Sequence, residues 1–298
     1  MISVDKNYDD PPGVLKDIQD KLKDNPLTEY SLDKALHTFW TEKNKKAIKE
    51  ALSAIYHNKC AYCECNPNVG AYTEIEHYRP KKGGYYWLAF EWSNLLLSCT
   101  KCNKLKSYKF PLKDGGNPLK KLPDSSDWKA TSEPLLSEQP LLLNPEVTHE
   151  NKNAYYNNEK IGPITKHLKF NKNGKVKDLS DEGKKTIELL RLNQRPELVI
   201  ARRKVIKAYL KRLTEYIQDY DNSNNVNKLR DRVYHLINDV KEDAHNPEKE
   251  YLQLRRQIFN HPDDFFKKEF EDNHHVHTYE LVKQCIHEIK TSRKSIRH

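Results

Sequence analysis

No stretch of the 298 residues stays apolar for the length of a bilayer core, so no helical membrane span is expected. The opening residues, MISVDKNYDD, carry acids where a secretory leader needs an apolar run. Export is therefore not expected, and the cytoplasm is the expected compartment. No internal repeat is visible, so the length reads as one large domain or two to three small ones. Cysteine is sparse. Six in the whole chain is too few for a disulfide scaffold, and in a reducing compartment a Cys-x-x-Cys pair reads as metal or redox chemistry. Acids are scarce in one region. Between Arg79 and Lys129 eleven basic residues face only Glu91, Asp114, Asp124 and Asp127, in a chain whose net charge is +9. That excess lies around the cysteine pairs and points to a polyanionic partner.

What is present divides the chain into four parts. Residues 1–58 read as helical: Pro12 can open a helix bearing Leu15, Ile18 and Leu22, and a second from about Thr41 carries Ala47, Ile48, Ala51, Leu52 and Ile55 at helical spacing. Residues 59–110 hold the cysteines. Residues 111–180 are rich in Pro, Ser, Asp and Gly and read as a connecting segment, with a hairpin predicted at HLKFNKNGKVKDL around its Asn-Gly turn. Residues 181–298 read as helices, with Ser180 capping one, Pro196 opening a long second and Asn246-Pro247 starting another. Cys285 falls on an apolar helical face. The stretch NHHVH, from residue 273, reads as an exposed polar turn. The predicted fold class is mostly α, with a small α+β insertion between helical regions.

Cys60-x-x-Cys63 and Cys99-x-x-Cys102 form two knuckles, and four thiolates suit the tetrahedral preference of Zn²⁺. Cys65 can replace Cys63 as a ligand, but its spacing suits a knuckle less well. A closed four-cysteine site holds the fold and does no chemistry itself. The 35 residues between the knuckles exceed a minimal zinc ribbon, so they carry an insertion. YTEIEHYRP alternates like a strand, Gly83-Gly84 marks a turn, NLLLS can return, and CNKLKS can start a short helix. A hairpin and a helix tied by zinc make a small ββα-metal unit whose stability depends on the ion. Within it, His77 suits a general base, and the oxygens of Glu76 and Asn103 suit a hard ion. Glu76 and His77 point to opposite sides of an extended strand. For both to serve one site, the strand must twist or end there.

The assembled pattern, CAYC…EIEHYRPK…WSNLLLSCTKCNKLK with a later LLLNP, resembles the HNH endonuclease superfamily, and within it the HNH subunit of Septu and retron-associated anti-phage systems. The close motifs cover residues 60–106, and a weaker likeness spans most of 40–210. The resemblance implies that His77 is the general base and Glu76 the acidic ligand of a catalytic Mg²⁺ or Mn²⁺. Asn94 is then the central asparagine that orients the loop and the base. Asn103 stands where many members have a final histidine ligand, and its amide oxygen favours Mg²⁺ over softer ions. Arg79, Lys81, Lys101, Lys104 and Lys106 are expected on phosphates of a DNA or structured-RNA substrate. An ABC/SMC-like ATPase subunit and, in retron systems, a reverse transcriptase–RNA complex are the implied partners; no membrane is. Rival readings are a stand-alone HNH restriction enzyme or toxin, and an inactive zinc-dependent nucleic-acid-binding scaffold.

Overall fold

A computed structural model describes residues 1, 4–23, 25–67, 72–114, 116, 118–119, 135, 138–146, 164–272 and 276–291. The chain forms two compact units, residues 1–168 with 178–191, and residues 169–177 with 192–298. Among the described residues no helix is long and apolar enough to cross a membrane.

The first unit opens with three helices. The Pro12 carbonyl accepts the Leu15 N–H at the start of α1 (Gly13–Lys23), which buries Leu15 and Ile18. After α2 (Leu32–Phe39), Thr41 caps α3 (Glu42–Tyr56) by accepting the Asn44 N–H, and Ile48, Leu52 and Tyr56 line its buried face. His57, at φ 50°, ends α3 in the left-handed region and turns the chain into the first knuckle. Strands β1 (Thr73–His77) and β2 (Leu95–Cys99) pair antiparallel, with Thr73 opposite Cys99 and His77 opposite Leu95. All of β2 is buried, which explains its unbroken apolar run. The Cys99 sulfur caps α4 (Thr100–Lys106), so the second knuckle doubles as the strand-to-helix turn. Strand, strand and helix form the expected ββα unit, embedded among helices.

Remote segments brace this unit. Lys6, fully buried, donates to the Leu95 carbonyl (2.6 Å) and Glu146 (2.7 Å) and lies 4.2 Å from the Trp92 ring. The Tyr56 hydroxyl donates to the same Glu146 (2.6 Å). Trp92 and half-buried Trp87 pack as core side chains. Helix α5 (Asp181–Leu189), grouped by the sequence with the C-terminal helices, belongs to this first unit. Ser180 caps it as expected, and Thr186 accepts the Leu143 N–H (2.9 Å). Gly183 lies so near the His167 carbonyl that an added Cβ would stand 2.2 Å from the oxygen.

Strands β3 (Leu168–Phe170) and β4 (Val176–Asp178), whose residues 169–177 fall in the second unit, form the predicted hairpin, with Gly174 at φ 77° in the turn. Helix α6 (Pro196–Ser223) begins at its proline, and α7 (Val226–His245) packs against α6, α8 (Leu252–Asn260) and α10 (Val276–Thr291). A π-turn over Asp263–Lys267 leads into α9 (Lys268–Asp272). Helix α8 does not start at Asn246-Pro247. Tyr251 takes φ 53°, which interrupts helical geometry until Leu252. Leu229, Val233, Leu236, Ile237 and Val240 are buried, and so is Cys285. The apolar stripes are thus covered within the unit. The NHHVH reading lies largely outside the described residues, as does the connecting segment over 120–134 and 147–163.

Candidate active site

The two knuckles converge. The sulfurs of Cys60, Cys63, Cys99 and Cys102 all lie within 4.8 Å of one another, and all four residues are buried. The first knuckle closes through Cys60 N–H to the Cys65 carbonyl (2.9 Å) and Glu64 N–H to the Cys60 carbonyl (3.0 Å). Ala61 N–H reaches the Leu97 carbonyl on β2, bringing the first pair beside the second. Four clustered thiols suit a structural Zn²⁺. Cys65 stands outside the set, with its sulfur 3.1 Å from that of Cys63.

Strand β1 ends at His77. The His77 Nε2 lies 2.9 Å from the Ala89 carbonyl. A carbonyl only accepts, so Nε2 carries the proton and Nδ1 keeps its lone pair. Burial holds His77 well below the usual imidazole range, with Lys81 acting in the same direction, so the ring is neutral near pH 7. Its Nδ1 faces the Lys81 ammonium at 3.4 Å, and Trp40 packs at 5.6 Å between ring centres. Asn94 organises the loop that supplies the carbonyl. Its amide donates to the carbonyls of Arg79 (3.0 Å) and Leu88 (3.1 Å), and its oxygen accepts the Arg79 N–H (2.8 Å). Asn94 thereby holds the Leu88 carbonyl, next to the Ala89 carbonyl that meets His77.

Glu76 turns to the α4 side. Its Oε1 lies 2.5 Å from the Lys106 ammonium, and burial pushes its carboxyl up to about 7, against the opposing pull of Lys106. Asn103, on the same helix, donates its amide N–H to Glu74 rather than meeting Glu76. Glu74 is a partner of Asn103 that the reading of the sequence missed. The signal was there, because residues two apart on a strand share a face.

The phosphate contacts expected of Arg79 and Lys106 are corrected. Arg79 is fully buried, with Nε 2.9 Å from Glu138 Oε2 and a further N–H donated to the Leu135 carbonyl (2.7 Å). Tyr78, Tyr85 and Phe110 surround its guanidinium. Lys106 is also buried, donating to the His77 carbonyl at 2.5 Å. Neither cation reaches a ligand in solvent. Lys101 and Lys104 are exposed on α4, and Lys81 is half-buried beside the base. No sequence pattern marked Glu138 or Trp40, because their roles come from contacts with chain far from them.

Residues 60–109 match the family model for HNH endonuclease. Together with the ββα unit and its paired cysteines, this defines an HNH endonuclease, a hydrolase of phosphodiester bonds. Over 242 residues the chain is 31% identical to the Septu protein PtuB of Bacillus mycoides (strain KBAB4), a span covering 72% of this chain and 73% of that protein. It is 29% identical over 230 residues to the Septu protein PtuB of Bacillus thuringiensis, covering 75% and 72%. The chain belongs to the PtuB family of Septu proteins. It also resembles, at 26% identity over 159 residues, 19% of the Septu protein PtuA of Bacillus mycoides (strain KBAB4), a match covering 49% of this chain.

Proposed function

We propose that the protein is the metal-dependent nuclease effector of an anti-phage defence system, with His77 as the general base and a PtuA-type ATPase subunit as its partner. The observation that carries the catalytic reading is the fixed tautomer of His77. Ala89 holds the Nε2 proton, so Nδ1 is the atom that takes a proton from the attacking water. Burial keeps the ring unprotonated and ready, and Asn94 holds the loop that presents the carbonyl. Exposed Lys101 and Lys104 position the nucleic-acid backbone.

Glu76 and Asn103 would hold the catalytic ion, with Glu74 orienting Asn103. Glu74 accepts the Asn103 amide N–H, which turns the Asn103 oxygen away from it. Hard oxygen donors fit Mg²⁺ or Mn²⁺, and among the described residues the buried Oε1 of Glu76 meets no donor other than the Lys106 ammonium. When bound, such an ion supplies charge stabilisation at the scissile phosphate. The ATPase partner rests on kinship with Septu proteins and on nothing in the packing of the second unit. His77→Ala in zinc-loaded protein should abolish Mg²⁺-dependent cleavage while leaving nucleic-acid affinity close to wild type. Cleavage at the wild-type rate would remove His77 from the role of base.

A further inference from the structure

We infer that Lys106 is a resident cation of the active site, and that a divalent ion binds at Glu76 by displacing its ammonium. The inference rests on the reading of Glu76 as a metal ligand. The geometry puts the ammonium on the ligand itself. Lys106 Nζ lies 2.5 Å from Glu76 Oε1 and donates to the His77 carbonyl at 2.5 Å, with the Ser107 carbonyl 3.4 Å away. The Lys106 side chain is 1% exposed and that of Glu76 is 3% exposed. In such a place each charge is the other's main compensation, because water is excluded.

The pairing is nevertheless incomplete. Among the described residues, Glu76 Oε1 meets no hydrogen-bond donor besides the Lys106 ammonium. The Tyr62 hydroxyl is buried without a hydrogen-bond partner among the described residues and lies near enough to Glu76 to respond to its charge. A carboxylate oxygen met by one cation, beside an unpartnered buried hydroxyl, leaves polar capacity that a lysine alone does not use.

The charge balance decides what must move. Glu76 already carries the Lys106 ammonium at 2.5 Å, and Lys81 stands at the His77 ring. The carboxylate thus already has a counter-charge. A divalent ion added to it leaves two positive charges in excess where the dielectric is low. Lys106 is the cation seated on the carboxylate, whereas Lys81 faces the imidazole. Displacing Lys106 frees the ligand and removes one excess charge. A phosphodiester brings a further negative charge, so nucleic acid and ion bind cooperatively, and the site without substrate stays self-neutralised.

Mn²⁺ binding to zinc-loaded full-length protein, followed by the EPR signal of free Mn²⁺, tests this. K106M keeps the length of the side chain and removes its charge, so it should bind Mn²⁺ about tenfold tighter or more, the order expected when a fixed positive charge beside the ion is removed. E76Q should abolish the binding with or without K106M. In wild-type protein, saturating Mn²⁺ should raise the acetylation of Lys106 by N-hydroxysuccinimidyl acetate relative to exposed Lys109, read by peptide mass spectrometry. If K106M fails to fold, the labelling decides. If E76Q abolishes Mn²⁺ binding while K106M binds no tighter and Lys106 labelling ignores Mn²⁺, the Lys106 inference is overturned and the metal reading stands. Wild-type Mn²⁺ binding by E76Q would overturn both.

Discussion

Replacing Arg79 by alanine separates a buried anchor from a phosphate contact. In the folded chain the guanidinium meets Glu138 at 2.9 Å, and both side chains are fully buried. Arg79→Ala leaves the carboxylate without its counter-charge, although Glu138 Oε1 still accepts from the Tyr85 hydroxyl and the Leu119 N–H, each at 2.8 Å. It also opens space among Tyr78, Tyr85 and Phe110. Breaking one side of a buried pair costs about 3–5 kcal/mol. For a unit of this size each kcal/mol lowers the melting temperature by about 2–4 °C, so the expected drop is about 6–20 °C. Glu138→Gln should destabilise similarly, and Arg79→Met with Glu138→Gln should cost less than the two single changes added together. The assay is thermal melting by circular dichroism, paired with nucleic-acid affinity across a salt series. A lost phosphate contact lowers the slope of log K against log salt by about 0.9, and the slope should instead stay at the wild-type value. An Arg79→Ala protein that melts like wild type and loses that slope would refute the anchor assignment.

The purified protein should contain about one zinc per chain, and Cys99→Ser should lower it and destabilise the first unit, because ion binding there is folding energy; full stability of the zinc-free variant would count against the site. Glu76, pushed up to about 7, must lose its proton before it can hold a cation, so Mn²⁺ affinity should climb as pH rises toward about 7 and level off above it. Its stability contribution has the matching sign: Glu76 binds protons more tightly folded than unfolded, so stability falls as pH rises from its ordinary value of 4.5 to about 7. Depressed His77 works the other way, losing stability as pH falls below its ordinary 6.5. A Mn²⁺ affinity flat across that range would remove Glu76 as a ligand.

Much of the site was legible because it is written in short spacings. Two Cys-x-x-Cys turns, an alternating strand ending in Glu76-His77, a Thr41 cap and an Asn173-Gly174 turn each depend on neighbours a few residues away. Backbone periodicity links such neighbours directly, and so the ββα unit and its four thiols could be anticipated. The resemblance to HNH nucleases rests on the same short spacings.

The tertiary structure decided what the charged and polar side chains do. Arg79 is an anchor because Glu138, 59 residues on, meets it away from water. Lys106 sits on Glu76 because α4 packs against β1, and the His77 tautomer follows from the Ala89 carbonyl, next to the one that Asn94 holds across the loop. Helix α5 belongs with the first unit because Thr186 and Gly183 fit segments tens of residues earlier or across a turn. Whether a cation serves solvent or the core depends on its desolvation and on which partner is brought to it, and both come from chain that is remote in sequence and close in space.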